Sequence, residues 1–352
     1  MGGPRNINEV NSYLKNIFLD RDIMQLPMQN TLGKFIANRR TSKVQAEYNL
    51  IGGGSPIEKW TRLQGKQLID KLDVMSPETA PHNYYVGFRY NEPKTKTALQ
   101  NILDDGVDRV VAFSQYFQYS CSTSGSNFND LYKQQNELDP TSSIKWSFID
   151  RWGTHPLLIK FFADSIQKSL LKVDPDQRDK TPILFSAHSL PLYVVLKGDT
   201  YVNEVGATVG CVMAELRNRG VINPYRLVWQ SEVGPLKWLG PSTEKVIEKM
   251  GTSNLTKNLV VVPIAFSSDH IETLFELGIE YRELAKKSGI DNFILTDSPN
   301  DDPTFIDCIT DVAFKHLQSP NNSNYQLTSR CHNCVSEQCK ITKNWIQTAL
   351  SK

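Results

Sequence analysis

Six short runs of this chain are apolar almost throughout: Tyr84–Phe88, Arg109–Phe113, Ile144–Ile149, Ile183–Ala187, Tyr225–Gln230 and Leu259–Phe266. A strand with one wet face alternates apolar and polar residues, so a continuous run implies cover on both faces. Amphipathic stretches lie between these runs. Asn8–Met24 places Val10, Tyr13, Leu14, Ile17 and Phe18 on one helical stripe. Further helices are expected at Lys94–Asp105, Pro156–Leu171, Asn203–Arg217, Ile271–Lys287 and Pro303–Gln318. Strands alternating with helices give an α/β fold, with parallel sheets flanked by helices.

A chain of 352 residues suggests about two such units. The Asp-, Lys- and Pro-bearing stretch Val173–Thr181 reads as the boundary. It divides a first lobe (1–172) from a second (173–302), followed by a helix (303–318) and an extension (319–352) entered through the polar Ser319–Asn324. The formal net charge of +1 gives no global argument for nucleic acid. No run of 18 apolar residues appears, and no signal peptide precedes the fold. Met1-Gly2-Gly3-Pro4 is a turn that normally follows an element. It predicts a further N-terminal piece, with a targeting peptide and a first strand.

Ligands in open α/β sheets bind where strands end, and the chemically unusual residues stand there. His188 follows the Ile183–Ala187 run. An imidazole can accept a proton near neutral pH, although a histidine satisfying loop carbonyls explains the position equally well. After Phe266 come Asp269, His270 and Glu272. Asp269 with Glu272 three residues on has capping-box spacing. The cluster could also pass protons to and from His188 across a cleft, or hold a divalent cation. Gly52-Gly53-Gly54-Ser55-Pro56 resembles an anion cradle opening a helix, with Ser55 as cap and Glu58 completing the box. It lacks the Lys of a phosphate-binding P-loop. Gly87-Phe88-Arg89-Tyr90 and Arg40 supply guanidinium groups suited to carboxylates, and Tyr48 lies upstream. The aromatic- and Gly-Pro-containing segments Tyr225–Ser231 and Trp238–Pro241 suit either a flat pocket or ordinary core.

Taken in order, Met1–Pro4, Ile51–Pro56, Gly87–Tyr90, Phe185–Pro191, Tyr225–Ser231, Trp238–Pro241 and Pro263–Leu274 resemble the ferrochelatases of mitochondria, over nearly the whole chain. The resemblance implies two Rossmann-like lobes around a porphyrin cleft, and insertion of Fe²⁺ into protoporphyrin IX with release of two protons. Bending the macrocycle would cost on the order of a few kcal/mol. It further implies that His188 takes pyrrole protons or first meets iron. Glu272 is the carboxylate facing it, and both are transient iron ligands. Asp269 and His270 link Glu272 to solvent. Phe266, Trp238 and Met1 wall the pocket, Arg89 and Tyr90 flank it, and Arg40, Tyr48 and Ser55 lie near the propionates. Alternatives are a chelatase for another tetrapyrrole such as coproporphyrin, and a non-catalytic anion-binding module.

Three of the six cysteines crowd the tail as Cys331-x2-Cys334-x4-Cys339. That spacing is consistent with zinc or an iron–sulfur cluster. The resemblance implies a [2Fe–2S] cluster and places its fourth ligand in the helix after Asp150-Arg151-Trp152, where Phe161 stands. Cys121, Cys211, Cys308 and His332 are the other choices. The resemblance also implies a homodimer on the matrix side of the inner mitochondrial membrane. Phe18-Leu19 and Ile23–Met28, with Lys34, Arg39, Arg40 and Lys43 beyond, would form the apolar, basic-fringed lip.

Overall fold

The computed structural model describes residues 1–23, 26–254, 256–319, 321 and 323–350. Met24 and Gln25 of the expected lip lie outside them. Two compact units result, one from Met1–Arg151 with Ile309–Lys352, the other from Trp152–Cys308. The Val173–Thr181 stretch lies inside the second unit, where the short helix Pro175–Arg178 leads into a strand.

In the second unit four strands run parallel: β3 (Ile183–His188), β4 (Tyr225–Gln230), β5 (Asn258–Pro263) and β6 (Asn292–Leu295). Their order is β4-β3-β5-β6. β3 and β5 are the inner pair and are buried almost end to end, as continuous apolar runs require. Leu259, Val261, Leu277, Tyr281 and Phe293 form the centre of one core cluster. β5 pairs with β3 as far as Ser186↔Pro263. The Ile264 N–H makes the last bond to β3, donating to the Ser186 carbonyl at 3.1 Å, and the strand itself ends at Pro263, three residues before the expected Phe266. β6 was not expected. At four residues it is too short to stand out beside the long apolar runs.

The Ile271–Lys287 helix is not uniform. Glu272–Glu280 is π-helical and Tyr281–Ser288 is α-helical. π-Helical turns are rare and are frequent at functional sites. The Asp269–Glu272 capping box does not form, because the Asp269 carboxylate bonds to side chains instead.

The first unit holds one parallel pair, β1 (Arg109–Phe113) and β2 (Lys145–Ile149), in register from Arg109↔Lys145 to Phe113↔Ile149. Tyr84–Phe88 does not join it as a strand. Phe88 makes only an isolated bridge to Lys94, and its backbone pairs locally with Pro93 and Thr95. The first helix is shorter than expected, Val10–Leu19. Two long helices follow, Gln29–Leu50 and Ile57–Met75. The tail helix Glu337–Leu350 completes this unit's core. Its Trp345 meets Tyr132, Phe148 and Trp146 with ring centroids 5.4, 5.4 and 6.1 Å away.

Leu277 ties the π-helix to the second core and is fully buried. Leu277→Ala should destabilise the protein by about 2–5 kcal/mol. Denaturant unfolding would show this as a lower midpoint with an unchanged slope.

Candidate functional site

The parallel arrangement brings the carboxyl ends of all four second-unit strands together. β3 delivers His188, β4 delivers Gln230 and Ser231, β5 runs on to Phe266 and Asp269, and β6 runs on to Ser298 and Asn300. His188 Nδ1 lies 2.8 Å from Glu272 Oε2. The two groups are therefore bonded to each other rather than set across a cleft. The other oxygen, Glu272 Oε1, is 4.0 Å from His270 Nε2. About 40% of the His188 side chain and 25% of Glu272 remain exposed, so a ligand can reach the pair.

The charges follow from this geometry. Burial disfavours the His188 cation, but the charge and hydrogen bond of Glu272 outweigh it, and the histidine is raised above 6.5. Burial likewise works against the Glu272 anion, yet His188 overrides it and lowers the carboxyl to about 2. His270 moves the other way, because burial lowers it more than the neighbouring carboxylates raise it. Its Nδ1 lies 3.1 Å from the Ser268 carbonyl, which can only accept. Nδ1 therefore carries the proton of the neutral ring and Nε2 keeps a lone pair. Phe266 packs on that ring with centroids 5.0 Å apart.

Glu276 is a site residue that the sequence reading passed over. It accepts from the Ser231 N–H at 2.8 Å, Ser231 Oγ at 2.5 Å, Gln230 Nε2 at 2.9 Å and Tyr281 OH at 2.9 Å. Burial and then the charge of Glu272 raise its pKa. A second glutamate four residues beyond Glu272 was the available signal. Trp238, on the same unit, donates its Nε1–H to the Val233 carbonyl at 3.0 Å.

The remaining expected residues belong to the first unit. Arg89 is taken up by Asp20 and Asp22 at 2.6 and 2.8 Å and by the Ser126 carbonyl. Tyr90 OH donates to Asp20 at 2.6 Å, and the Tyr90 N–H donates to the Met1 carbonyl at 3.2 Å. Tyr48 is buried. Arg40 lies over the Phe18 ring, 6.0 Å from its centroid. Ser55 Oγ meets the Ile57 N–H at 3.4 Å, while Glu58 pairs with Arg62, so the second capping box is also absent. Gly54 has a packing reason, since a Cβ there would meet the Arg5 carbonyl at 2.1 Å.

In the tail, Cys331, Cys334 and Cys339 are partly buried and form no disulfide. Burial raises the Cys339 thiol, and the neighbouring Cys334 and Cys331 raise it further while Lys343 opposes them. Among the described residues no three His, Cys, Asp or Glu side chains converge as a metal site. Lys343 is buried, bonds the Leu327 carbonyl at 2.5 Å and lies 5.6 Å from the Tyr119 ring centroid. Phe161 is buried beside Phe162 and Phe305, with centroids 5.3 and 6.4 Å away. It offers no donor atom.

The family model described as Ferrochelatase matches residues 1–317. The chain belongs to the ferrochelatase family. Curated ferrochelatases named as mitochondrial are similar over nearly the whole of this chain. That of Gallus gallus is 52% identical over 344 residues, covering 97% of this chain and 85% of its own. That of Drosophila melanogaster is 51% identical over 352 residues, covering 100% and 91%. Among solved structures, SirB from Bacillus subtilis with Fe³⁺ matches with a TM-score of 0.49 at 10% identity, over 70% of this chain and 87% of that one. Ferrochelatases are porphyrin metal-chelating lyases, so the strand-end cluster belongs to an enzyme. The non-catalytic binding module is set aside.

The His188–Glu272 pair has a definite pH dependence. The raised histidine stabilises the fold fully below 6.5 and loses this as pH rises through its folded pKa. The lowered carboxyl stabilises fully above 4.5 and loses this as pH falls towards 2. Both act together between 4.5 and 6.5. In Glu272→Gln, NMR titration should find His188 releasing its proton at lower pH than in the wild type.

Proposed function

We propose that the chain inserts Fe²⁺ into protoporphyrin IX to give protohaem, and that neutral His188 takes a pyrrole proton on Nε2. The observation that carries this is the 2.8 Å contact between His188 Nδ1 and Glu272. A carboxylate behind one ring nitrogen holds the proton there and leaves the other nitrogen as the acceptor. Once Nε2 is protonated, the same carboxylate stabilises the imidazolium. Insertion should therefore speed up as pH rises through the raised His188 pKa. Fe²⁺ sheds water as it enters, and the imidazole of His188 and the carboxylate of Glu272 are donor types that suit its transient ligation. Glu272 is thus the orienting partner of His188 as well as an iron ligand. Phe266, packed on His270, and Trp238, bridged to Pro191, supply apolar surface for the macrocycle. In the first unit, Arg89 and Tyr90 are joined through Asp20, and Arg89 also pairs with Asp22.

His188→Ala should lower the insertion rate by roughly 10²–10⁴, with porphyrin binding, followed by fluorescence, largely retained. Near-normal turnover would sink the assignment. Running protoporphyrin and coproporphyrin side by side tests the substrate.

A [2Fe–2S] cluster on Cys331, Cys334 and Cys339 fits their thiol chemistry, although the thiols do not converge in the present arrangement. Cys121 is the best fourth ligand. Lys343, one helical turn after Cys339, packs on Tyr119, two residues before Cys121. Cys308 is buried, with its Sγ 3.2 Å from His155 Nδ1. Cys121→Ser should remove visible absorbance, iron and sulfide from the purified protein, while Cys211→Ser and Cys308→Ser keep them. Zinc without colour in the wild type would replace the cluster reading.

The relatives' names support a mitochondrial location, and peripheral attachment to the matrix face of the inner membrane is the finer reading, supported by the surface at the start of the Gln29–Leu50 helix. Met28 and Phe35 are 79% and 60% exposed, beside exposed Lys34, Arg39 and Lys43. No helix among the described residues is long and apolar enough to cross a membrane. A homodimer through the C-terminal region rests on the family resemblance.

A further inference from the structure

Asp269, one residue before His270, is held from two directions. Its Oδ1 accepts from Thr273 Oγ1 at 2.9 Å and from Ser298 Oγ at 2.7 Å. Its Oδ2 accepts from Asn300 Nδ2 at 2.8 Å, and its N–H donates to Asn300 Oδ1 at 2.8 Å. Thr273 directly follows Glu272, whereas Ser298 and Asn300 come from the loop after β6. These bonds therefore bracket the segment His270-Ile271-Glu272 at both ends.

Asn300 reaches Asp269 from a left-handed backbone with φ 45°. Asn tolerates that region better than most residues. The conformation turns its amide so that one side chain meets both the N–H and the carboxylate of a single neighbour. The loop also lines a cavity of about 310 Å³ with Phe161, Asp164 and Lys168, so packing alone does not fix it. Three donors already occupy the Asp269 carboxylate, which suits an anchor better than a proton carrier.

We propose that Asn300, supported by Ser298, is a positioning residue for metal insertion, acting through Asp269 to hold the backbone that presents His270 and Glu272. The inference rests on the roles given above to His188 and Glu272. A displacement of about 1 Å at a reacting group can cost on the order of 100-fold in rate.

Asn300→Gly is the informative variant, because glycine accepts the left-handed backbone and only the amide is lost. In an assay with ferrous iron and protoporphyrin, kcat should fall by roughly 10- to 100-fold, with the porphyrin KM within about 2-fold of wild type. Asn300→Asp keeps the acceptor for the Asp269 N–H but sets a carboxylate against Asp269, and should fall at least as far at neutral pH. If Asn300 acts through Asp269, the double variant Asn300→Gly/Asp269→Ala is no slower than Asp269→Ala. Wild-type kcat in Asn300→Gly, or losses that multiply in the double variant, would overturn the proposal. Glu272→Ala separates the two levels. If it is active, the site reading and the bracket both fall. If it is inactive while Asn300→Gly is normal, only the bracket falls.

Discussion

The inner strands of the second unit have no wet face. β3 and β5 lie in a parallel ladder covered on both sides, and their side chains are apolar from Leu259 to Val262 and from Ile183 to Ala187, save for Ser186, which is buried with Gln230 and Thr243 as hydrogen-bond partners. Polar groups cannot be accommodated within such strands without partners. They are pushed to where the ladder stops, and in a parallel sheet every strand stops on the same side. His188, Ser231, Asp269 and Asn300 are brought to one edge by that constraint.

At the edge, the sign of each charge is set by its partner. Glu272 stays ionised because His188 sits 2.8 Å away, and His188 stays protonated to higher pH for the same reason. Glu276, one π-helical step on, lacks a cationic neighbour among its bonded partners and is driven the other way. Two carboxylates on one helical segment thus differ in proton affinity through their surroundings alone. A uniform α-helix would place them differently, so the π-helical geometry belongs to the site as much as the side chains do.

Much of this was legible beforehand because it depends on local pattern. Five of the six apolar runs are strands, and His188 and Glu272 were identified from where such runs end. The failures have physical reasons. Tyr84–Phe88 has strand-like composition, but pairing is a tertiary property that composition does not carry, and its backbone closes a local turn instead. β6 is four residues long and gives periodicity little to act on. Glu276 stands four residues after Glu272, on the same helix face, but its partners Gln230 and Ser231 come from β4, a tertiary contact that spacing along the helix does not carry. The two capping boxes had the right spacing, but Asp269 and Glu58 found better partners, Asn300 and Arg62 respectively. Spacing identifies which groups can meet, and competition among partners decides which do.

The tail helix carries two loads at once. Cys339 and Lys343 stand one turn apart on it, and Trp345 fills the first unit's core between Trp146, Phe148 and Tyr132. Anything that binds the thiols in the folded state must therefore also stabilise the first unit, by linkage. The converse holds as well. Trimming the tail exposes Trp146 and Phe148 along with removing the thiols, so such a truncation measures the loss of a hydrophobic lid and the loss of ligands as one quantity.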